Sequence, residues 1–349
     1  MRNSTLIMCM MILLTSSCIK DDRSLCAEEY NEVTLCISLG LGEQTTKAVT
    51  PYNNSMTYEK QVNSVQILIF ENNKLNSYLN AGTNTSGISI KTTKGSKEVW
   101  AIVNGPDLSG ISTLSEIQNQ VVMLGDNSTE ASKGFVMSGS KSCNLSTSSA
   151  SATIPVSRLV SRIALQKITN SLPEAYGNLT VSKLFLANVV GNTTLSGDAS
   201  INTWYNKMGR TDTATSSSQI IDGSSYPASC PELTYKYAGA IITNGESRTL
   251  ETPYLLYCNP NNTKTDYNGW STVFTARKTR LIVCASIGGS TYYYPVTIDT
   301  PGRNCTYTIE LTITGLGATD PDQPVEKGTI MTIVSVQEWT NGATYDEII

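Results

Sequence analysis

Cysteine and carboxylate side chains are the groups that could carry chemistry in this chain of 349 residues, because histidine is absent. Without histidine the chain lacks the commonest general base, the Ser-His and Cys-His nucleophile pairs, and the ligand of most zinc sites. The acids are scattered, and no motif pairs two of them, although glycosidase carboxylates can lie far apart in sequence. We therefore predict that the protein is not an enzyme and holds no cofactor and no metal.

The spacing of the cysteines indicates free thiols more than a disulfide framework or a metal centre. None of the nine cysteines forms a C-x-x-C motif, the spacing of many metal and redox sites. Apart from Cys9 and Cys18 near the start, an odd number remains: Cys26, Cys36, Cys143, Cys230, Cys258, Cys284 and Cys305. Several lie inside strand-like runs, where a free cysteine behaves as a small hydrophobe, so we predict buried thiols.

The first eighteen residues have the pattern of an export signal. Arg2 provides a positive start, and Leu6 to Leu14 form an apolar run that is too short to span a bilayer as a helix. Thr15-Ser16-Ser17 then supplies small residues directly before Cys18. This ending resembles the lipobox of bacterial lipoproteins, although a lipobox favours leucine where Thr15 stands. The resemblance implies that residues 1–17 are removed and that Cys18 is acylated, with an ordinary secretory signal as the alternative.

The residues that follow Cys18 indicate a cell-surface destination. Lys20-Asp21-Asp22 resembles the tag that sends Bacteroidales lipoproteins to the outer face of the outer membrane. Solvated charges beside an anchor are the alternative interpretation. Together with the lipobox, the tag predicts an outer membrane lipoprotein precursor that is attached through acylated Cys18.

Length and charge limit the class of protein. Without residues 1–17 the chain still exceeds the size at which one hydrophobic core stops growing, which predicts two domains. Lysine and arginine number 25 against 29 aspartates and glutamates, the net charge is −4, and the basic residues form no cluster. An electrostatic surface for a phosphate backbone is therefore missing, and we predict no nucleic acid partner.

Apolar and polar residues alternate with a period of two along much of the chain, which predicts an all-β protein. Residues 305–314 alternate without an error, and an early run places Val33, Leu35, Ile37 and Leu39 on one face. Other strands are predicted at 65–70, 99–103, 163–168, 181–189, 254–258, 281–287, 292–298 and 330–339. A capping box, Thr113-x-x-Glu116, predicts one short helix over residues 114–123.

A polar stretch rich in serine, threonine and alanine, residues 146–153, precedes a new apolar run that starts at Arg158. A polar low-complexity stretch followed by an apolar run is typical of a domain boundary. We therefore predict a boundary near residue 157, which gives an N-terminal domain of residues 18–157 and a C-terminal domain of residues 158–349.

A succession of motifs near the C-terminal end resembles a known family. In order, these motifs are Tyr292 to Ile298, Arg303 to Tyr307, Ile309 to Gly315, Asp320-Pro321-Asp322 and Val336-x-x-Trp339. The succession is similar to the C-terminal signature of Bacteroidales fimbrillins, the subunits of type V pili, and the similarity is clearest from Leu281 to Trp339. Residues 158–163 also resemble the join between the two fimbrillin domains.

Membership of this family would imply two transthyretin-like Greek-key β-sandwich domains in tandem and assembly by strand exchange. A surface protease would cut the loop after the first strand, and the strand with Val33, Leu35, Ile37 and Leu39 would leave together with the lipid. The emptied groove of the N-terminal domain would accept a C-terminal strand from a neighbouring subunit, which produces a filament. The donor residues implied by the resemblance are Ile330, Val334, Val336, Ile348 and Ile349.

The resemblance places the cut within residues 40–51, where Lys47 is the only basic residue, so that Lys47 and Ala48 would flank it. The best-known fimbrillin pattern has an arginine at this point, whereas this chain has no arginine between Arg23 and Arg158. Two alternatives follow. Either a protease of different specificity cuts after Lys47, or the subunit keeps its first strand and its lipid as a membrane-retained anchor subunit.

We expect a structural subunit of a cell-surface fimbria that supports adhesion. Its partners would be other copies of itself, other pilus subunits, and a host or bacterial surface receptor. A tip adhesin or surface lectin is the second hypothesis, because the chain has 17 tyrosines against 4 phenylalanines and residues 292–294 alternate across a strand, so that some should face solvent. A surface glycan-processing enzyme is the third, although no catalytic constellation supports it.

Overall fold

The computed structural model describes residues 31–41, 57–130, 132–197, 201–208, 233–264, 274–321, 323, 325 and 328–338. Its regular structure is almost entirely β-strand, and a strand occupies every run for which alternation predicts one. The strands form sandwich-like sheets, which confirms the predicted all-β sandwich class. None of the helices in these ranges is long and apolar enough to cross a membrane.

The first group of strands builds a seven-stranded sheet, called here the N-terminal sheet. Strands β1 to β8 are Glu32–Leu41, Val65–Glu71, Lys74–Gly82, Ile88–Thr93, Gly95–Val103, Val121–Met123, Met137–Leu145 and Ser149–Arg158. All of them except β6 belong to the sheet, in the order β3-β2-β5-β7-β8-β1-β4. The two end strands approach each other, because Ser77 on β3 donates a hydrogen bond to the carbonyl of Lys91 on β4 at 2.7 Å. The sheet therefore folds back on itself.

Alternate side chains of the N-terminal sheet fill the space inside this fold. Leu35 of β1, Ile67 of β2, Val99 of β5 and Ile154 of β8 all have no exposed surface. Because alternate residues of a strand point to the same face, one face of each strand supplies this core. The outer face of β2 and β5 is also apolar. Its side chains, Trp100 among them, form a second hydrophobic cluster with residues from other segments.

One short α-helix, α1 (Leu114–Gln118), packs Ile117 into this second cluster. The predicted capping box is present, since the Thr113 hydroxyl accepts from the Glu116 N–H at 3.2 Å and the Glu116 carboxylate accepts from the Thr113 N–H at 3.0 Å. The helix is shorter than predicted. Residues 121–123 form β6 instead, because they pair with residues 192–194 from the following half of the chain.

The remaining strands form two four-stranded sheets, called here the C-terminal sandwich, and two short pairings. Strands β9 to β19 are Ser161–Asn170, Leu179–Ala187, Val189–Val190, Asn192–Thr194, Trp204–Tyr205, Thr234–Ile242, Ser247–Cys258, Arg280–Ile287, Ser290–Thr297, Cys305–Ile313 and Ile330–Glu338. One sheet has the order β15-β9-β18-β19 and the other β14-β10-β16-β17. Residues buried from both sheets form one shared core. The division of the chain into two domains at residue 157 stays a prediction.

The polar stretch 146–153, which suggested the boundary, belongs mostly to a strand. Residues from 149 onward form β8, which pairs in parallel with β1. Ser149, Ser151 and Thr153 face solvent, whereas Ala152 and Ile154 are buried. The stretch is polar because one face of the strand is exposed to solvent. The chain leaves the N-terminal sheet only after Arg158.

Strands β7 and β8 pair only where they meet, through Met137 with Arg158 and Ser138 with Ser157. Beyond these pairs, β7 pairs only with β5 and β8 pairs only with β1 among the described strands. At the point of divergence Gly139 lies against the main chain of β8. A Cβ atom on Gly139 would come within 1.8 Å of the carbonyl oxygen of Pro155. Only glycine allows this close approach.

We expect Gly139→Ala to lower the free energy of unfolding by about 2 kcal/mol, because overpacking forces the main chain of β8 to shift. Gly110→Ala is the matched control, since a Cβ on Gly110 would meet no atom within 4 Å. Urea unfolding of the two variants and the parent measures the difference. Equal midpoints for Gly139→Ala and Gly110→Ala would contradict the role given to Gly139.

Candidate strand-exchange site

Strand β1 lies between two neighbours and pairs with both. It pairs in parallel with β8 from Thr34 to Leu41 and antiparallel with β4 from Glu32 to Ile37. The Thr34 N–H donates to the Ser148 carbonyl at 2.9 Å on the β8 side. Within the described part of the chain, β4 forms a strand pairing with β1 alone. The half of the sheet that contains β4, β1 and β8 therefore depends on its middle strand.

The side chains of β1 alternate between the core and solvent, as the sequence predicts. Val33, Leu35 and Ile37 have no exposed surface, and Leu39 packs half-buried against the same core. Burial of an aliphatic side chain of this size contributes about 1.5–3 kcal/mol. Cys36 lies on the opposite face and is exposed. Removal of β1 would therefore open a groove that is apolar along its floor.

Beyond its two pairs with β7, the outer edge of β8 is a second position for an added strand, and this position is blocked. The N–H and C=O of one strand residue point to the same side, and the Pro155 carbonyl points to the outer side, toward Gly139. Proline offers no N–H there, and Lys141 Nζ donates to the Thr153 carbonyl at 3.3 Å on the same side. Proline and lysine are usual means of protecting a sheet edge. In a strand exchange of the kind that the family resemblance implies, an incoming strand would therefore be limited to the side that β1 occupies.

Strand β19 carries three of the predicted donor residues and lies at the opposite end of the molecule's sequence. It pairs with β18 along its whole length, and in the described residues no strand pairs with its other edge. Ile330 and Val334 pack half-buried against the core of the C-terminal sandwich, whereas Val336 is 55% exposed. Met331 and Ile333 are also exposed. The outer edge of β19 is therefore partly apolar, but the side chains on the inner face of the strand already pack against the core of the C-terminal sandwich.

A buried polar cluster, called here the Glu59 cluster, lies where the N-terminal sheet meets the C-terminal sandwich. Arg162 Nη1 is 3.0 Å from Glu59 Oε2, and neither side chain is more than 1% exposed. Arg158 donates from Nε and Nη2 to the main-chain carbonyl of Glu59 at 3.1 and 2.9 Å. The Tyr257 hydroxyl donates to Glu59 Oε1 at 2.7 Å. Glu59 is thus bound through both its main chain and its side chain.

Aromatic rings close the Glu59 cluster from water. The rings of Phe135 and Tyr257 are 4.7 Å apart, and the Tyr58 and Tyr257 hydroxyls are 3.1 Å apart. Burial lowers the pKa of Arg158 to about 10. Burial and the neighbouring Glu59 carboxylate raise the pKa of Tyr257 well above its usual value. At neutral pH Arg158 is therefore a cation and Tyr257 a neutral hydrogen-bond donor.

Sequence reasoning singled out residues 158–163, which include both arginines, but missed the acid that they bind. Glu59 is separated from Arg158 and Arg162 by 99 and 103 positions. No spacing pattern marks a lone acid in a one-turn 3₁₀ helix, Thr57–Lys60, as the partner of a distant arginine. Only the folded chain brings them together.

Several predicted site residues cannot be placed. Cys18, Lys47, Ala48, Ile348 and Ile349 lie outside the described residues. Their lipidation, cutting and insertion stay predictions.

Among the described cysteines, Cys36, Cys143 and Cys258 are free thiols, and Cys143 and Cys305 are half-buried. Cys258 and Cys284 are buried as predicted, and burial raises the pKa of the Cys258 thiol to about 12. Cys36 is exposed because it sits on the solvent face of β1, so the prediction of buried thiols was wrong for this residue. Cys26 and Cys230 lie outside the described ranges.

The tyrosines that suggested a binding surface are mostly buried. Tyr294 has no exposed surface and its hydroxyl donates to the Gly315 carbonyl at 3.1 Å. Tyr293, on the other face of β17, is buried against Phe185 and Met208. The prediction that some of residues 292–294 face solvent fails for these two, because β17 is covered on both faces. Tyr292 is half-buried against the core.

Solved structures of low sequence identity share this fold. A Bacteroides eggerthii protein assigned to cell adhesion gives a TM-score of 0.61 at 17% identity, covering 88% of this chain and 96% of that one. A Parabacteroides distasonis protein with the same assignment gives 0.60 at 16%, covering 91% and 99%. A fimbrilin of Porphyromonas gingivalis gives 0.59 at 14%, covering 90% and 99%. At these identities the similarity shows the fold alone.

A family model identifies the chain more specifically. The model of the major fimbrial subunit protein (FimA) matches residues 33–217, which is more than half of the chain. The match includes β1 from Val33 onward and the Glu59 cluster residues up to Arg162, whereas the motifs from Tyr292 to Trp339 lie beyond it. A search of curated protein sequences gave no match. The chain therefore belongs to the major fimbrial subunit protein (FimA) family, whose members are subunits of cell-surface fimbriae and not enzymes.

Proposed function

We propose that this fimbrial subunit polymerises by strand exchange after β1 has been cut away together with a lipid on Cys18. The position of β1 carries the proposal, since it pairs with β4 on one side and with the inner edge of β8 on the other. Its departure would leave N–H and C=O groups unpaired on both sides and expose apolar side chains below. An extended strand from a second copy would satisfy both.

The same position makes β1 a plug before the cut. An incoming strand cannot enter the groove while Leu35 and its neighbours fill it. Polymerisation would therefore wait until the subunit has reached the outer face of the outer membrane. A filament follows because the groove and the donor lie on different parts of one chain, so that the contact repeats without closing.

We place the cut between Lys47 and Ala48, because Lys47 is the only basic residue between Leu41 and Thr57. In the uncut alternative the chain would keep acylated Cys18 and would hold the fimbria to the membrane as an anchor subunit. The described ends of this segment, Leu41 and Thr57, both belong to regular structure. A cut between them would break the covalent connection between β1 and the rest of the chain.

We propose that the donor is the C-terminal segment, with Ile348 and Ile349 as its inserting residues. Ile330 and Val334 already pack on the core of their own chain, and β19 pairs fully with β18. Their use as donors would require β19 to leave its sheet, which would expose the edge of β18. Use of the residues that follow β19 as the donor would leave the pairing of β19 with β18 intact. The assembled fimbria would support adhesion, in keeping with the assignment of the Bacteroides eggerthii protein.

Fimbriae isolated from the cell surface should contain a chain that begins at Ala48. N-terminal sequencing and intact mass of the isolated filaments measure this directly. A filament-borne chain that is still acylated at Cys18 would contradict the cut and identify the anchor alternative.

Truncation of a core-facing side chain of β1 should loosen its hold after the cut. We expect Leu35→Ala to speed release of the fragment that contains β1 by at least about 30-fold, because a buried leucine truncated to alanine costs about 2–5 kcal/mol. Cys36→Ala, on the exposed face of the same strand, should release it at the parent rate. Limited trypsin digestion followed by gel filtration and mass spectrometry measures retention. Equal release from both variants would contradict the groove assignment.

Charge at the C-terminal end should block assembly and leave the monomer folded. We expect the double variant Ile348→Asp, Ile349→Asp to form no filaments after the cut, because a carboxylate cannot enter an apolar groove without a partner. Its thermal unfolding midpoint should match that of the parent. Ile241→Asp is the control, since Ile241 is an isoleucine exposed by 62% elsewhere on the surface. Filaments of normal length from the double variant, seen by electron microscopy, would exclude these residues as donors.

A further inference from the structure

The two ends of the segment that we propose is cut lie at one end of β8. Leu41, the last residue of β1, pairs with Val156. The main-chain carbonyl of Glu59 is bound by Arg158, two residues further along the chain. The chain therefore leaves the groove and returns to the fold at neighbouring points.

The return point is held by contacts from both halves of the molecule. Arg158 ends the N-terminal sheet, whereas Arg162 and Tyr257 belong to β9 and β15 of the C-terminal sandwich, and all three bind Glu59. Further along, the Asn104 side chain accepts from the Asn63 N–H at 2.8 Å and donates to the Gln61 carbonyl at 2.7 Å. Residues 57–64 are thus fixed by side chains, since β2 begins only at residue 65.

The Glu59 contacts are strong for a physical reason. A carboxylate that is removed from water has a high energy unless it is paired and hydrogen-bonded. In this cluster the carboxylate receives an arginine and a tyrosine hydroxyl, while the second arginine forms two hydrogen bonds with the carbonyl. Withdrawal of Glu59 would leave both arginines buried with fewer partners. Residues 57–64 would therefore stay in place when their upstream connection is lost.

We infer that the Glu59 cluster is a tether that keeps residues 57–64 docked after the cut, so that β1 alone leaves and the new amino-terminal segment stays beside one end of the emptied groove. This inference rests on the proposed function, because it concerns the chain after the cut. Before the cut, residues 57–64 are connected at both ends, to β1 and to β2. After the cut, the tether, the Asn104 contacts and the packing of Tyr58 and Val62 against the two cores hold them upstream of β2. Glu59, Arg158 and Arg162 are in this sense positioning residues for the groove.

The test compares cut and uncut chains by hydrogen exchange. A recognition sequence for a specific protease, inserted between Lys47 and Ala48 of the full chain, makes the cut independent of any native protease. Exchange of the amides of residues 57–64 is then measured before and after cutting in the parent, in Glu59→Gln and in Glu130→Gln. Glu130 is the matched control, because its ion pair with Lys133 is exposed. Amides of β18 serve as the internal reference.

In the parent and in Glu130→Gln, cutting should change exchange of residues 57–64 by less than about two-fold. In Glu59→Gln, cutting should speed it by at least about ten-fold, with β18 unchanged, because local opening is then no longer opposed by the tether. Loss of protection in the cut parent would overturn the inference. An equal effect of Glu59→Gln in cut and uncut chains would overturn it too, since that marks a role in stability alone.

A milder variant covers the case in which Glu59→Gln does not fold. Tyr257→Phe removes one hydrogen bond to Glu59 and keeps the ring against Phe135. It should show the same dependence on the cut with a smaller ratio, and no dependence would count against the tether. Retention of the β1 fragment after cutting, measured in the same samples by mass spectrometry, reports on strand release. A retained fragment with protected residues 57–64 would contradict the proposed function and leave the tether supported.

Discussion

A buried strand must have its main-chain hydrogen bonds satisfied on both edges, and this requirement governs the N-terminal sheet. Strand β1 provides the hydrogen-bond partners for the inner edge of β8. In the described chain it also forms the only strand pairing of β4. It also fills the core with aliphatic side chains. Water cannot enter that core to replace the lost bonds without exposing apolar surface. It is therefore unfavourable to leave the position of β1 empty, and the proposed exchange would fill it with another strand.

The rest of the sheet limits where such a strand can go. Beyond its two pairs with β7, the outer edge of β8 is closed to further pairing by Pro155 and by Lys141, which binds the Thr153 carbonyl. The main chains of β7 and β8 lie close together at Gly139 and Pro155, next to the point where the two strands stop pairing. At the join, the two arginines hold Glu59 and so fix the chain just after the proposed cut. In the proposed exchange, these features together would confine the effect of losing β1 to a single groove.

The sequence predicted strands correctly where one face of the strand is exposed to solvent and the other face is buried. The alternation of Val33, Leu35 and Ile37 with polar residues predicted both the strand and its buried side. Composition did not reveal the strand within residues 146–153, because small side chains such as Ala152 can line a core without looking apolar as a group. Alternation misjudged Tyr293, since a strand that is covered on both faces has no side for solvent. Alternation gives the polarity of successive side chains along a strand. It does not show whether other elements of the fold cover a face of that strand.

The sequence by itself determined the all-β class, most strand positions, the capping box of the helix and, through motifs and the family match, membership among fimbrial subunits. These properties depend on neighbours within a few positions or on patterns inherited as a whole. Only the tertiary structure decided that β8 is the parallel partner of β1, that its outer edge is closed, and that Glu59 meets Arg158 and Arg162 across about a hundred positions. Strand order and buried ion pairs arise from packing between distant segments, and no local pattern encodes which distant segment will arrive.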